Sequence, residues 1–238
     1  MEIIFADDLN AYRAFDRKTP NGTILRTSTN CQTKLHEWGH ANAITFDGTK
    51  ESTTILSRND PHGDGFKMYG IKFDPGLYMS EAVNRLYSEA SWKLSSILRT
   101  SRFFSTGHIV YLYKTKVMSY IEFRTAAIYH SSANLLQRID GLQDRLLRSI
   151  GMNATDALTK FNLTPLQTRR DIALLGLIHR TVLGLGPDQF RQHFELAQNR
   201  GRRTRNRHSK QMVSHRKGKS SPTRFWVWRM CTTCCPNG

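Results

Sequence analysis

The sequence predicts an α+β protein, with a β-rich part over residues 1–76, an all-helical part over 77–196 and a basic tail over 197–238. Short apolar runs alternate with polar residues near the start, which is typical of strands. From Ser80 on, apolar residues recur three or four positions apart, which is typical of helices. Hydrophobic residues make up 39% of the chain, enough to build a folded core.

The chain begins with a predicted β-hairpin over residues 2–15. Ile3, Ile4 and Phe5 form an apolar run that stops at two adjacent carboxylates, Asp7 and Asp8. Apolar residues then resume, and two apolar stretches around a short polar tip indicate a hairpin. Two neighbouring carboxylates repel each other unless a cation offsets their charge. The pair is therefore either a solvated turn or half of a metal site.

Turn-forming residues and the spacing of apolar residues predict the remaining elements of the front part. We expect a turn at Thr19–Gly22, a helix over 27–43 anchored by Leu35 and Trp38, and strands over 53–56 and 66–73. A polar loop rich in Asn, Asp, Pro and Gly joins the two strands.

Five helices are predicted in the rear part. The first starts at Ser80, and the pair Ser105-Thr106 offers a cap for the second. A third covers residues 133–150, a fourth begins at the Thr164-Pro165 pair, and a short fifth begins at Pro187.

The charge distribution predicts a polyanionic partner. The net charge is +16, the last acidic residue is Glu195, and 11 of the 35 Lys and Arg follow it. Such a balance favours nucleic acid first and an anionic membrane surface second. We expect residues 198–224 to be disordered. The candidate nucleic-acid-binding residues there are Arg200, Arg202, Arg203, Arg205, Arg207 and Lys210.

Residues 36–40 read His-Glu-Trp-Gly-His and match a zinc-protease pattern. On a helix, His36 and His40 would face one side and Glu37 would be the general base. Gly39 weakens a helix at that point, and no third histidine follows at the metzincin spacing. A zinc protease therefore stays a minor alternative.

The cysteines do not form a disulfide framework. Cys31 stands alone, whereas Cys231, Cys234 and Cys235 cluster near the end without a second pair of zinc ligands. We expect a reducing, intracellular compartment, with nucleus or cytoplasm left open. No run of about 18 apolar residues predicts a membrane span. Residues 231–236 can be encoded by codons that, in a shifted frame, read Val-Tyr-Asn-Leu-Leu-Pro, so we hypothesise that this segment is a frameshifted remnant.

Several motifs occur in a distinctive order. Phe5-Ala6-Asp7-Asp8 on a hairpin is followed by a helix, by Phe46 and Lys50, and then by Tyr69-Gly70-Ile71 and a helical region. This series resembles the reverse transcriptases of non-LTR, LINE- and jockey-type retrotransposons, from the late palm through the thumb. The family's "Gly-Leu-x-Phe-Asn-x-x-Lys-Thr" motif is only partly matched, because Ala43, Asp47 and Glu51 replace its Gly, Asn and Thr.

The resemblance implies a partial polymerase palm followed by a helical thumb or connection region. It implies two-metal phosphoryl transfer with Mg²⁺, or Mn²⁺, held by Asp7 and Asp8. Lys50 would neutralise or protonate the departing pyrophosphate, and the helices from Ser80 on would grip the duplex backbone. The primer end would be positioned by Tyr69, Gly70 and Ile71. The implied partners are an RNA template, a DNA primer and deoxynucleoside triphosphates.

The chain also departs from the family. The family's first metal-binding Asp lies upstream of the hairpin, where this sequence has only Met1–Ile4. We therefore expect that this chain alone does not extend a primer. The main alternative is a non-catalytic nucleic-acid-binding module with an inert Asp pair. A group II intron-type maturase is a further relative that the motifs leave open.

Overall fold

The computed structural model describes residues 2–5, 8–16, 18–186, 190 and 224–231, with backbone alone described for 2–5, 8–10 and 224–231. The fold is mixed α+β and mostly helical, as predicted. The chain divides into two compact units. One contains the residues up to Val83 together with the strand at 224–231, and the other begins at Asn84.

A four-stranded antiparallel sheet forms the centre of the first unit. Its strand order is β1-β2-β6-β3. The strands are β1 (Glu2–Phe5), β2 (Asp8–Phe15), β3 (Ser52–Leu56) and β6 (Arg224–Cys231). β1 and β2 form the predicted hairpin, with Glu2 opposite Ala11 and Phe5 opposite Asp8.

The path from β2 to β3 is a split β-α-β unit. Both strands pair antiparallel with β6, so they run parallel to each other with one strand position between them. Helix α1 (Asn21–Ala41) forms the crossover. Four buried side chains make the core, namely Ala11 from β2, Ile24 from α1, Phe46 and Ile55. The β2–α1–β3 arrangement thus leaves a slot that β6 fills.

Two details of α1 differ from the sequence prediction. The helix begins at Asn21 rather than at Thr27, because Pro20 takes the N-cap position and Gly22 belongs to the first turn instead of a separate turn. Trp38, expected to anchor the helix, is 51% exposed, whereas Leu35 packs against the core.

The predicted single strand over 66–73 is wrong. The segment is a hairpin of β4 (Phe66–Met68) and β5 (Ile71–Phe73). Tyr69 and Gly70 between them have φ angles of +50° and +76°. Positive φ at both central residues is the geometry of a tight hairpin turn. The alternating residues continue on both sides of the turn, which hides it in the sequence.

Helices build the second unit. The predicted helices from Ser80, after Ser105 and over 133–150 are confirmed, and Ser105 does cap its helix through the backbone N–H of His108. The fourth begins one residue later than expected, with Pro165 as N-cap. The helices are α2 (Ser80–Arg99), α3 (Thr106–Tyr113), α4 (Ser119–Glu122), α5 (Thr125–Ile128), α6 (Ala133–Ser149), α7 (Ala154–Phe161) and α8 (Leu166–Val182).

Helix α7 was missed by the sequence analysis although both of its ends carry clear signals. The Asn153 side chain accepts a hydrogen bond from the backbone N–H of Asp156, and Asn162 closes the helix in the left-handed conformation. A π-helical stretch (Lys114–Met118) joins α3 to α4 without a break. The predicted fifth helix from Pro187 lies outside the described residues, apart from Phe190.

The tail prediction needs one correction. Residues 197–223 lie outside the described part of the chain, so disorder there stays a prediction. Arg224–Cys231, which the sequence analysis assigned to the same tail, is strand β6. Its run of Phe225, Trp226, Val227 and Trp228 consists of aromatic and β-branched residues that favour strands. Basic composition alone was therefore a poor guide at this end. Among the described residues, no helix is long and apolar enough to cross a bilayer.

Candidate functional site

Asp8, one of the two predicted metal ligands, lies at the end of the β1–β2 hairpin where the chain passes from β1 to β2. β1 ends at Phe5 and β2 begins at Asp8, and these two residues form the last backbone pair. Asp8 therefore belongs to β2, whereas the sequence predicted it in the two-residue tip with Asp7. Asp7 itself lies outside the described residues. Asp8 is described through its backbone, as the first residue of β2.

Asp8 has a second strand neighbour on its other side. In the β2–β6 register, Asp8 lies opposite Cys231. Strand β6, Arg-Phe-Trp-Val-Trp-Arg-Met-Cys, contains no carboxylate. The strand that occupies the slot beside the Asp pair therefore brings a thiol residue to this end of the sheet. Within the described ranges, no group of three His, Cys, Asp or Glu forms a metal-binding cluster.

The segment over 44–50 is fixed against α1 by a close backbone approach. The backbone N–H of Ile44 donates to the Gly39 carbonyl at 2.8 Å, and Phe46 is 9% exposed. A Cβ on Gly39 would lie 2.4 Å from Cε2 of Phe46 and 2.9 Å from the Ile44 carbonyl oxygen. Glycine at position 39 thus serves packing, which explains its place inside a helix.

Lys50 is held in a tight polar turn. Asp47 Oδ1 accepts hydrogen bonds from the Thr49 backbone N–H at 3.0 Å and from its hydroxyl at 2.6 Å. These bonds, with a smaller contribution from Lys50, hold the pKa of Asp47 below its usual value. The Lys50 ammonium lies 3.3 Å from Asp47 Oδ2, with 54% of its side chain exposed. Asp47, which stands where the family has Asn, therefore orients a lysine that solvent can reach.

The β4–β5 hairpin holds the three predicted primer-positioning residues. Tyr69 and Gly70 form its turn, and Ile71 is the first residue of β5. Tyr69 is 64% exposed, whereas Ile71 is buried. The turn therefore presents an aromatic ring to solvent from a short hairpin supported by the stacked rings of Phe66 and Phe73, 5.0 Å apart. The role of Tyr69, Gly70 and Ile71 in positioning a primer stays a prediction.

The His-Glu-Trp-Gly-His pattern forms a structural contact. His36 Nε2 lies 2.8 Å from Glu51 Oε1, and the Glu51 side chain is 6% exposed. Gln32 donates to the other carboxylate oxygen of Glu51. The His36 ring also meets the edge of Phe46, with centroids 5.5 Å apart. This buried Glu51, which the sequence analysis treated only as a replaced family residue, ties α1 to the start of β3.

The basic residues predicted to bind nucleic acid, Arg200 to Lys210, lie outside the described residues. Comparisons with known proteins add no identification. No protein-family model matches the chain, and neither a curated protein nor a solved structure matches it.

Proposed function

We propose that the chain supplies the palm-hairpin and thumb portion of an RNA-directed DNA polymerase of the non-LTR retrotransposon type. The observation that carries the proposal is an antiparallel hairpin whose second strand begins at Asp8, the residue after Asp7 in the sequence, on a sheet crossed by one helix. Lys50 and the Tyr69-Gly70 turn follow in the order that the resemblance implies. The helical second unit then takes the place of the thumb. The substrates would be deoxynucleoside triphosphates, an RNA template and a DNA primer.

The donor set near the hairpin fits the implied magnesium only in part. The carboxylates of Asp7 and Asp8 would supply oxygen donors of the kind that Mg²⁺ prefers. The residue opposite Asp8 is Cys231, whose sulfur suits softer metals. A strand that brings a third carboxylate to this metal pair would have to lie beside β1 or in the slot that β6 occupies. β6 fills that slot, and no described strand pairs with the outer edge of β1, so we propose that the chain does not extend a primer.

The surface residues fit roles in substrate handling. Lys50 is a solvent-accessible cation that Asp47 orients, and a phosphate could exchange for that carboxylate. Tyr69 presents an exposed ring on a turn, where it could contact a primer end. Both roles need the hairpin, the turn and the substrate to meet, and both are testable without catalysis.

Binding of a primer–template tests the proposal. The full chain is titrated against an RNA–DNA hybrid with a single-stranded overhang, and affinity is measured by fluorescence anisotropy at several salt concentrations. Lys50→Gln and Tyr69→Ala should each weaken binding, and Lys50→Gln should also reduce the slope of log K against log salt by about 0.7 to 0.9. Lys160→Gln, which removes an exposed cation on α7, is the matched control. Equal affinity of all four proteins would contradict the proposal.

A non-catalytic nucleic-acid-binding module is the second candidate. Strand β6 favours it, because it completes the sheet without adding a carboxylate. The two candidates differ in metal binding. Mn²⁺ affinity that depends on Asp7 and Asp8 supports the polymerase origin, whereas nucleic-acid binding without such metal affinity supports the module.

A further inference from the structure

An open groove lies between α2 and α6 in the second unit. Its volume is about 780 Å³, and Tyr87, Ser91, Trp92, Ser95, Arg99 and Arg145 are among its lining residues. None of the residues that line it is acidic. No local sequence pattern marks this surface, because its residues come from two helices more than 30 positions apart.

Arginines along this groove have neutral partners. The Arg145 guanidinium donates to the hydroxyls of Ser91 at 3.3 Å and Ser95 at 3.0 Å, one helical turn apart on α2. Arg99 donates to Ser96 at 3.3 Å. In the described part of the chain, neither guanidinium forms an ion pair with a carboxylate. Their positive charge is therefore oriented by hydroxyls but not neutralised.

A third arginine extends the same seam. Arg138 donates to Asn84 Oδ1 at 2.6 Å and lies 4.7 Å from the centroid of the Tyr87 ring. Arg138 and Arg145 are seven residues apart on α6, which is about 10.5 Å along the helix axis. The nearby carboxylate of Glu89 is engaged elsewhere, by Arg85 and by the Tyr120 hydroxyl. Arg99, Arg138 and Arg145 thus form a row of guanidinium groups, none of which is ion-paired within the described residues.

Trp92 adds an aromatic surface to the row of cations. It is 66% exposed, although a tryptophan is usually largely buried. Ser88, Ser91 and Ser95 line the groove beside it, together with Tyr87 and Leu98. An indole face beside guanidinium groups is the combination that binds a base and its phosphates together.

We propose that this groove binds single-stranded nucleic acid, with phosphates at Arg145 and Arg99 and a base stacked on Trp92. A single strand fits better than a duplex, because the base faces of a duplex are already stacked and cannot cover an indole. The groove also lacks the broad apolar face of a membrane-bound helix. The inference rests on the proposed role of the chain in nucleic-acid binding, but not on the Asp pair or on metal.

Oligonucleotide binding by the full chain tests the inference. Oligo(dT) and oligo(rU) of about 20 nucleotides are titrated by anisotropy in EDTA, so that metal plays no part. Because we expect the basic tail to bind polyanions in general, each variant is also made in a full-length background where Arg200, Arg202, Arg203, Arg205, Arg207 and Lys210 are changed to Gln. Trp92→Ala should weaken binding about five- to 150-fold, the range expected for loss of one stacked base.

Further variants separate stacking and charge from folding. Trp92→Phe should recover most of the affinity, because phenylalanine retains a stacking face. Arg145→Gln should lower the salt slope by about 0.7, the value for one phosphate contact to a single strand. Trp38→Ala, an exposed tryptophan on α1, and Lys160→Gln are controls that should bind as tightly as the parent chain.

Three results would overturn the inference. Trp92→Ala and Arg145→Gln could bind within twofold of the parent in both backgrounds. Duplex DNA could compete as well as the single strand. Binding to anionic lipid vesicles, rather than to oligonucleotides, could be what depends on Trp92. A chain without Mn²⁺ affinity at Asp7 and Asp8 would contradict the polymerase proposal but not nucleic-acid binding at this groove. The two proposals can therefore fail independently.

Discussion

The contact between Gly39 and the 44–50 segment gives a prediction with a control on the same helix. Gly39→Ala would place a Cβ 2.4 Å from Phe46 Cε2 and 2.9 Å from the Ile44 carbonyl oxygen. Carbon atoms normally pack about 3.5 to 4.0 Å apart, so the ring or the helix must move by more than about 1 Å. The Ile44 oxygen cannot retreat freely, because the adjacent N–H is bonded to Gly39.

The magnitude follows from two opposing effects. Overpacking a filled site costs about 1 to 3 kcal/mol. Replacing a helical glycine by alanine stabilises the helix by up to about 1 kcal/mol. Gly22, in the first turn of α1, has no atom within 4 Å of an added Cβ. Gly22→Ala therefore measures the helix effect alone, and the difference between the two variants isolates the steric cost.

Urea unfolding of the two variants gives the free energies directly. We expect Gly22→Ala to be neutral or stabilising and Gly39→Ala to be destabilising, with a difference of about 1 to 3 kcal/mol. Phe46→Leu in the Gly39→Ala background should recover part of the loss, because the ring atom that clashes is removed. If Gly39→Ala is as stable as Gly22→Ala, the close approach of α1 and the 44–50 segment is refuted.

Three further predictions concern both units. Asp140→Ala should lower the free energy of unfolding of the second unit by about 3 kcal/mol, measured in urea. The variant leaves the Arg170 guanidinium, which is 5% exposed and bonded to Asp140 at 2.6 and 2.8 Å, without its carboxylate. A loss below about 0.5 kcal/mol would show that the pair contributes no more than a surface ion pair. Tyr113→Phe should stabilise by about 1 kcal/mol, because among the described residues the buried hydroxyl has no partner. Burial raises the pKa of Tyr113, so the parent loses stability as the pH rises above about 10 and the variant should lose less, which unfolding at alkaline pH measures. Val227 of β6 pairs with Tyr12 of β2 and Thr54 of β3. Val227→Pro should therefore increase hydrogen exchange in β2 and β3, whereas Arg224→Pro at the start of the strand should not. Equal exchange in both variants would argue against β6 as a central strand.

The helices could be predicted from sequence because their signals are local. The apolar stripes of α2 and α6 repeat within a few residues, and Ser105 caps α3 through a bond to a residue three positions away. The β1–β2 hairpin is local in the same way. The β4–β5 hairpin escaped because Tyr69 is a poor turn residue at a φ of +50°, so no Asn-Gly or Asp-Gly marked the turn.

Long-range pairings could not be predicted. Strand β6 pairs with β2 across more than 200 positions, and no local sequence pattern indicates that it lies between β2 and β3. The pairing of Asp8 with Cys231 follows from that register alone. His36 likewise matched a catalytic pattern, whereas its actual partner, Glu51, lies 15 positions away, directly before β3. The sequence predicted the hairpin over residues 2–15, but not the strand that pairs with its second strand.

Metal affinity at the hairpin tests the polymerase origin most directly. The full chain is titrated with Mn²⁺ under electron paramagnetic resonance, beside Asp7→Asn, Asp8→Asn and the control Asp64→Asn, which changes an exposed loop residue. The account predicts a Mn²⁺ site that is lost in Asp7→Asn, weakened in Asp8→Asn and kept in Asp64→Asn, with no primer extension by any of them. Equal Mn²⁺ binding by all four chains would contradict it.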